Sequence, residues 1–187
     1  MESLFRFFQK FHRLSREAEA AIWEITRILQ FKKNEILQPI GFTCQTIYFV
    51  KEGVARIFYY KDGNDITEHF AFEGSLIVRV ESLFTGEPSG KGIQVLEDSE
   101  IIAIDAKKLF QLYDQYPEIE RLFRLIFESE YVNSVRRVES LQFHSAKERY
   151  EALLLEKEIV KRIPLKYIAS YLGITQVSLS RIRAELN

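Results

Sequence analysis

Sulfur is nearly absent from this chain: one cysteine, Cys44, and one methionine occur in 187 residues. A single thiol excludes an internal disulfide and points to a reducing, cytoplasmic setting. Histidine is almost as sparse. His12, His69 and His144 are scattered and no His-x-His occurs, so no metal site of the cupin-enzyme kind is expected. There is no phosphate-loop signature, no Gly-x-Ser-x-Gly elbow and no evident Cys/His pairing. No catalytic residue can be named, and an enzyme is not expected. No apolar run reaches the ~18 residues of a membrane span. The opening MESLFRFFQKFHRLS breaks its phenylalanines with Glu2, Arg6, Lys10 and Arg13. That is the pattern of an amphipathic helix rather than a signal peptide, with a membrane-surface helix as the alternative. Hydrophobic content of 47% and charged content of 28% are ordinary for a globular protein with a real core.

The most informative stretch is PLKYIASYLGITQVSLSRIRAEL, Pro164 to Leu186, which reads as a helix-turn-helix. Ile168 and Ala169 lie in the first helix, Leu172 closes it, Gly173 supplies the turn and Ile174 packs beneath. Ala169 is small where two helices must cross closely, and Gly173 can take the left-handed conformation of a sharp turn. Thr175 is placed to cap the second helix. Leu179 and Ile182, three apart, share its buried face. The opposite face carries Thr175, Gln176, Ser178, Ser180, Arg181 and Arg183, whose side chains can bond base edges and phosphates. A surface hairpin with an ordinary polar face is the plainer reading. It does not explain why the glycine, the small residue and the apolar positions all fall in register.

Charge is distributed to match. Residues 144–187 carry eight Lys/Arg and five Asp/Glu, a net of +3, whereas residues 1–143 carry eighteen and twenty-two, a net of −4. A unit of +3 binds phosphates poorly alone, which favours a dimer presenting two copies.

Three regions follow. Residues 1–116 form the first. Residues 1–31 read as helical, with one stripe of Leu4, Phe7, Phe8, Phe11 and Leu14 and a second of Ile22, Ile25, Ile28 and Leu29. From about Lys32 to Asp105 the pattern is strand-like, in TIYFVKEGVARIFYY, ITEHFAF, IQVLE and EIIAI. Turn signals at Glu52-Gly53, Lys61-Asp62-Gly63-Asn64, Glu73-Gly74 and Gly86-Glu87-Pro88 separate the strands and imply an antiparallel roll. Asp105 or a neighbour starts a further helix. The second region, residues 117–143, is one helix opened by Pro117, about 26 residues or ~39 Å long. Leu122, Phe123, Leu125, Ile126, Val132, Val135 and Val138 make it too apolar for the edge of a small domain, so it is expected to dimerise; a helix lying across its own roll is the alternative. The third region, residues 144–187, begins with Ser145 as N-cap and Glu148 as its capping-box partner, on a helix expected from Ala146 to Glu158. The helix-turn-helix follows. Residues 158–163 leave room for only a stub of a β-wing, so wing contacts to phosphate are expected to be reduced.

This order resembles the Crp/Fnr family of bacterial transcription regulators: a cyclic-nucleotide-binding-type β-roll, a long dimer helix and a C-terminal helix-turn-helix. YFVKEGVARIFYY resembles the family's strand-Gly-strand segment, with Gly53 at the turn. FEGSL, Phe72 to Leu76, falls where the phosphate-binding cassette begins. PSGKGIQVLEDSEIIAI resembles its end and the following strands, and YIASYLGIT with SLSRIR resembles the DNA-reading element. The resemblance implies an α+β fold, a jelly-roll-like double-stranded β-roll with flanking helices, a homodimer, double-stranded DNA as partner and RNA polymerase as a further partner.

The ligand positions depart from the pattern. Cyclic-AMP-binding relatives carry Glu after the cassette Gly, where this chain has Ser75 after Gly74 and before Leu76. They carry Arg-Ser or Arg-Thr after the cassette Pro, where Ser89 and Gly90 stand here, followed by Lys91. Each charge-assisted bond lost is worth about 1.5–3 kcal/mol. Tight cyclic AMP binding is therefore not expected, and no cofactor is named, although an unidentified effector remains compatible. Lys91 or Arg79 could return a positive charge, but each is expected to be a solvated surface side chain. Asn133 and Ser134 fall where the family's dimer helix meets the pocket, and equally suit a polar pair in the helix seam. An iron–sulfur sensor needs about four cysteines. A haem sensor would have only His69 to call on in the roll, more simply a core or surface residue.

For DNA, the resemblance points to Thr175, Gln176, Val177, Ser178, Ser180 and Arg181. Thr175 and Ser178 suit phosphate, Gln176 adenine, and Arg181 guanine or phosphate. Val177 stands where many relatives carry an acidic reader of cytosine. The alternatives are an effector-free or small-molecule-binding module, or a protein-interaction module, whose helix-turn-helix does not read DNA.

Overall fold

A computed structural model describes residues 2–155 and 161–186. They group into two compact units, Met1–Ile57 with Phe70–Ser129, and Phe58–His69 with Glu130–Asn187.

The first unit is built on a roll. In chain order come α1 (Glu2–Phe8), α2 (Arg16–Glu24), β1 (Thr26–Phe31), β2 (Ile36–Gln38), β3 (Thr46–Glu52), β4 (Ala55–Lys61), β5 (Asn64–Ala71), β6 (Ser75–Ile77), α3 (Val80–Thr85), β7 (Gly92–Val95), β8 (Ser99–Asp105) and α4 (Ala106–Leu112). The strands make two four-stranded sheets, ordered β1-β8-β3-β6 and β2-β7-β4-β5. β8 pairs antiparallel with β1 and with β3, Ile102 facing both Ile28 and Phe49.

The apolar runs of β3 and β8 have a simple cause. Side chains alternate across a sheet. Tyr48, Val50, Ile101 and Ala103 enter the core between the sheets, with Leu37, Ile77, Ile93 and Val95. Ile47, Phe49, Ile102 and Ile104 enter a second core with Leu4, Phe8, Ile22 and Leu109. Both faces are covered, so neither strand reads as alternating. Gly53 makes the β3–β4 turn at φ 104, and a Cβ there would lie 2.1 Å from Ser99 Oγ. Only glycine fits.

The N-terminal expectation needs correction. Residues 1–31 are not helical throughout: α1 stops at Phe8, α2 at Glu24, and Thr26–Phe31 is a strand. Ile28 and Leu29 belong to β1, and Ile28 is 45% exposed. Their spacing fits a helix, but six registered pairs with β8 override it. The first stripe does serve the core: Leu4 and Phe8 are buried in it, and Phe7, Phe11 and Leu14 pack against it. Within the strand-like region, α3 is a helix that the pattern did not signal.

α5 (Pro117–Phe143) spans the expected residues. In the first unit Ile119, Leu122, Phe123 and Ile126 are buried, the i, i+3, i+4, i+7 face of a helix. Asp105 caps α4, its side chain accepting the Lys108 N–H.

The second unit holds Phe58–His69 of the β4–β5 hairpin, the rest of α5, then α6 (Ala146–Leu154), α7 (Leu165–Tyr171) and α8 (Gln176–Leu186). Ser145 and Glu148 form the expected capping box. α6 stops at Leu154 with Leu155 as its C-cap, short of the expected Glu158; residues 156–160 lie outside the described residues, and 161–162, within the expected stub, are helical. Among the described residues its buried apolar side chains are Phe58, Tyr150, Leu153, Ile163, Tyr167, Ile168, Ala169, Leu172 and Leu179.

Candidate nucleic-acid interface and ligand cassette

The turn between α7 and α8 is a Schellman motif. Gly173 is left-handed at φ 72. Its N–H donates to the Ser170 carbonyl at 3.0 Å, and the Ile174 N–H donates to Ala169 at 3.0 Å. The carbonyls that α7 would leave bare are thereby satisfied. Thr175 then caps α8, its Oγ1 accepting the Ser178 N–H at 3.1 Å. Leu179 is fully buried, which fixes the side of α8 that turns inward.

Two arginines that the sequence reading missed hold this motif. Arg149, on α6, donates from Nη2 at 2.8 Å and Nε at 3.2 Å to the Leu172 carbonyl. Arg137, on α5, donates to the Tyr171 carbonyl and stacks over the Tyr171 ring, 3.9 Å from its centroid. Burial draws Arg137 below the ordinary guanidinium value. Cations suit a helix C-terminus. The available signal was cationic residues on the two helices preceding the motif, but their targets are backbone atoms distant in sequence. The Thr67 N–H of β5 also donates to Ser170 Oγ on α7, at 3.0 Å.

The face opposite Leu179 is open. Thr175, Gln176, Val177, Ser180 and Arg181 are exposed, and Ser178 is half-buried. They differ in what is free. Thr175 and Ser178 bond each other through their hydroxyls at 2.9 Å, and Ser180 Oγ donates to the Gln176 carbonyl at 3.0 Å. The side chains of Gln176, Val177 and Arg181 make no bond among the described residues.

In the first unit the two segments of cassette positions are each internally engaged. Gly74 is left-handed at φ 78 and donates its N–H to the Val50 carbonyl at 2.9 Å. Ser75 Oγ donates to the Phe72 carbonyl at 2.6 Å, and Leu76 is half-buried opposite Phe49. Ser89 is buried; its Oγ accepts the Lys91 N–H at 3.1 Å and donates to the Lys91 carbonyl at 2.8 Å. Gly90 is exposed and Lys91 half-buried. The expectation for Arg79 is corrected: it is 6% exposed, not a solvated side chain, and its Nε donates to Ser89 Oγ at 3.4 Å. The reason is position. Arg79 sits directly before α3, whose turn places it against the segment after Pro88. Asn133 and Ser134 belong to the second unit and are exposed on α5. Asn133 hydrogen-bonds Glu130, whose carboxyl is pushed up by burial. No group of metal-binding side chains occurs among the described residues.

Residues 28–116 match the family model of the cyclic nucleotide-binding domain. No curated protein matches the sequence. Solved structures do match the fold. FixK2 from Bradyrhizobium japonicum superposes with a TM-score of 0.74 at 19% identity, over 87% of this chain and 84% of its own. The cyclic-di-GMP-responsive global regulator CLP of Xanthomonas campestris gives 0.73 at 14%, over 92% and 91%. A Eubacterium rectale protein assigned to the Crp/Fnr transcriptional regulators gives 0.71 at 18%, over 90% and 82%. Residues 28–116 thus carry the match to the cyclic nucleotide-binding domain model, and the chain shares its fold with these solved structures.

Proposed function

We propose that this chain is a sequence-specific DNA-binding transcription regulator of the Crp/Fnr type, acting as a homodimer on a near-palindromic operator. The observation that carries the reading is α8: anchored by Leu179 on one side, it offers Gln176, Val177 and Arg181 to solvent on the other. Two such helices about one helical turn apart, ~34 Å, enter successive major grooves.

The dimer reading rests on the later half of α5, where Val132, Val135, Val138 and Leu141 stand 39–49% exposed. A valine stripe at helical spacing is a seam awaiting a partner. Val135→Glu is expected to convert dimers to monomers in sedimentation at micromolar protein. DNA as target implies a cytoplasmic site of action and RNA polymerase as the further partner.

Cyclic AMP is not expected to be the effector. Ser75 offers no carboxylate to a ribose hydroxyl, and its hydroxyl is turned onto the Phe72 carbonyl. No bidentate guanidinium follows Pro88. Arg79 supplies charge near Ser89, which supports an altered effector over an empty scaffold.

The test is binding of the purified protein to its own upstream genomic DNA, titrated with salt, with and without a panel of cyclic nucleotides. Tight binding to a near-palindrome that weakens with salt and ignores cyclic AMP is the expected result. Enhancement by cyclic AMP would overturn the ligand reading. Failure of every fragment to outbind random DNA would favour an interaction module. Within a bound operator, Arg181→Ala should cost about 1–3 kcal/mol at one base position; an equal loss on every sequence would make Arg181 a phosphate contact.

A further inference from the structure

The exposed face of α8 carries an apolar side chain beside its polar ones. Val177 is 63% exposed, in the first turn of the helix. A β-branched residue there lowers helix propensity slightly while most of its surface stays in solvent. Its neighbours narrow the choice of role. The hydroxyls of Thr175, Ser178 and Ser180 are engaged within the helix. Gln176 precedes Val177, and Arg181 lies one turn on, at i+4 from it. The surface offered to a duplex is thus one amide, one guanidinium and an apolar knob beside them.

The edges of bases in the major groove carry hydrogen-bonding groups and a single kind of apolar group, the thymine 5-methyl. We propose that Val177 is a specificity-determining residue that seats a thymine methyl in each half-site, with Gln176 reading an adenine next to it. This rests on the DNA-binding reading above and adds the base class that the site selects. Ser180 spends its hydroxyl hydrogen on the Gln176 carbonyl, and one hydroxyl of the Thr175–Ser178 pair spends its own on the other.

The experiment selects duplexes from a randomised library with the full-length protein, then scans each thymine of the enriched half-site with deoxyuridine, which removes only the methyl. One thymine per half-site should show about a fourfold loss on demethylation, the worth of one buried methyl. Val177→Ala, an exposed substitution that leaves the fold intact, should abolish that sensitivity. Val177→Glu should move the preference at that position toward cytosine. An enriched operator with no methyl-sensitive thymine, or one whose sensitivity survives in Val177→Ala, overturns the assignment while DNA binding stands. A library that yields no enriched sequence removes the DNA-binding reading and this assignment together.

Discussion

The two units solve the problem of stability differently. The first buries whole faces: Ile47, Phe49, Ile102 and Ile104 on one side of a sheet, Val50, Ile93, Val95 and Ile101 on the other, all at 0% exposure. The second has a short list of buried side chains and leaves Tyr131, Phe143 and Leu155 more than 70% exposed. In place of area it uses specific polar closures: a Schellman turn, a capping box and two arginines on carbonyls. A region with little apolar burial depends more on each single bond. Its exposed apolar positions are also where a partner would add the missing stability.

That contrast can be broken in order of size. Phe123→Ala, which empties a fully buried ring position beside Phe8, should cost about 3–5 kcal/mol in denaturant unfolding. A loss under ~1 kcal/mol would mean that the first unit does not rest on its core. Arg149→Ala should cost about 1–3 kcal/mol, since it strips both donors from the Leu172 carbonyl. Arg149→Lys should recover only part, because an ammonium cannot repeat the two-point contact. Ser145→Ala should cost about 1 kcal/mol, the usual worth of an N-cap.

The smallest effect is a pH dependence. Glu148 accepts the Ser145 N–H at 2.7 Å, and this bond holds its carboxyl below the ordinary value of 4.5. Its contribution is therefore complete above pH 4.5 and is lost as pH falls through the lower, folded value. Melting of Glu148→Gln and of the parent chain, compared from pH 7 down to about pH 3, should show the gap between them closing on acidification. A gap that widened would contradict the sign.

Legibility in the sequence followed the range of the interactions. The capping box, the Asp105 cap, the Pro117 start and the Gly173 turn are written within a few residues, and each is where local chemistry places it. The strand Thr26–Phe31 was not legible, because Ile25, Ile28 and Leu29 repeat at helical spacing and only pairing with β8 decides between the two forms. Arg79 was misjudged for a related reason. Isolated arginines are normally solvated, and this one is buried because α3 lies between it and Ser89. Arg137 and Arg149 bond carbonyls more than twenty residues away. No spacing rule reaches that far.

The open face of α8 has a consequence for how such a protein changes over time. The side chains of Gln176, Val177 and Arg181 make no bond among the described residues, so replacing them should change the melting of their unit little. Folding and target preference are then independent variables. On the DNA-binding reading proposed above, a lineage can redraw the sequence it favours by single substitutions, with no compensating change in the scaffold, while Leu179 and Gly173 keep every version folded.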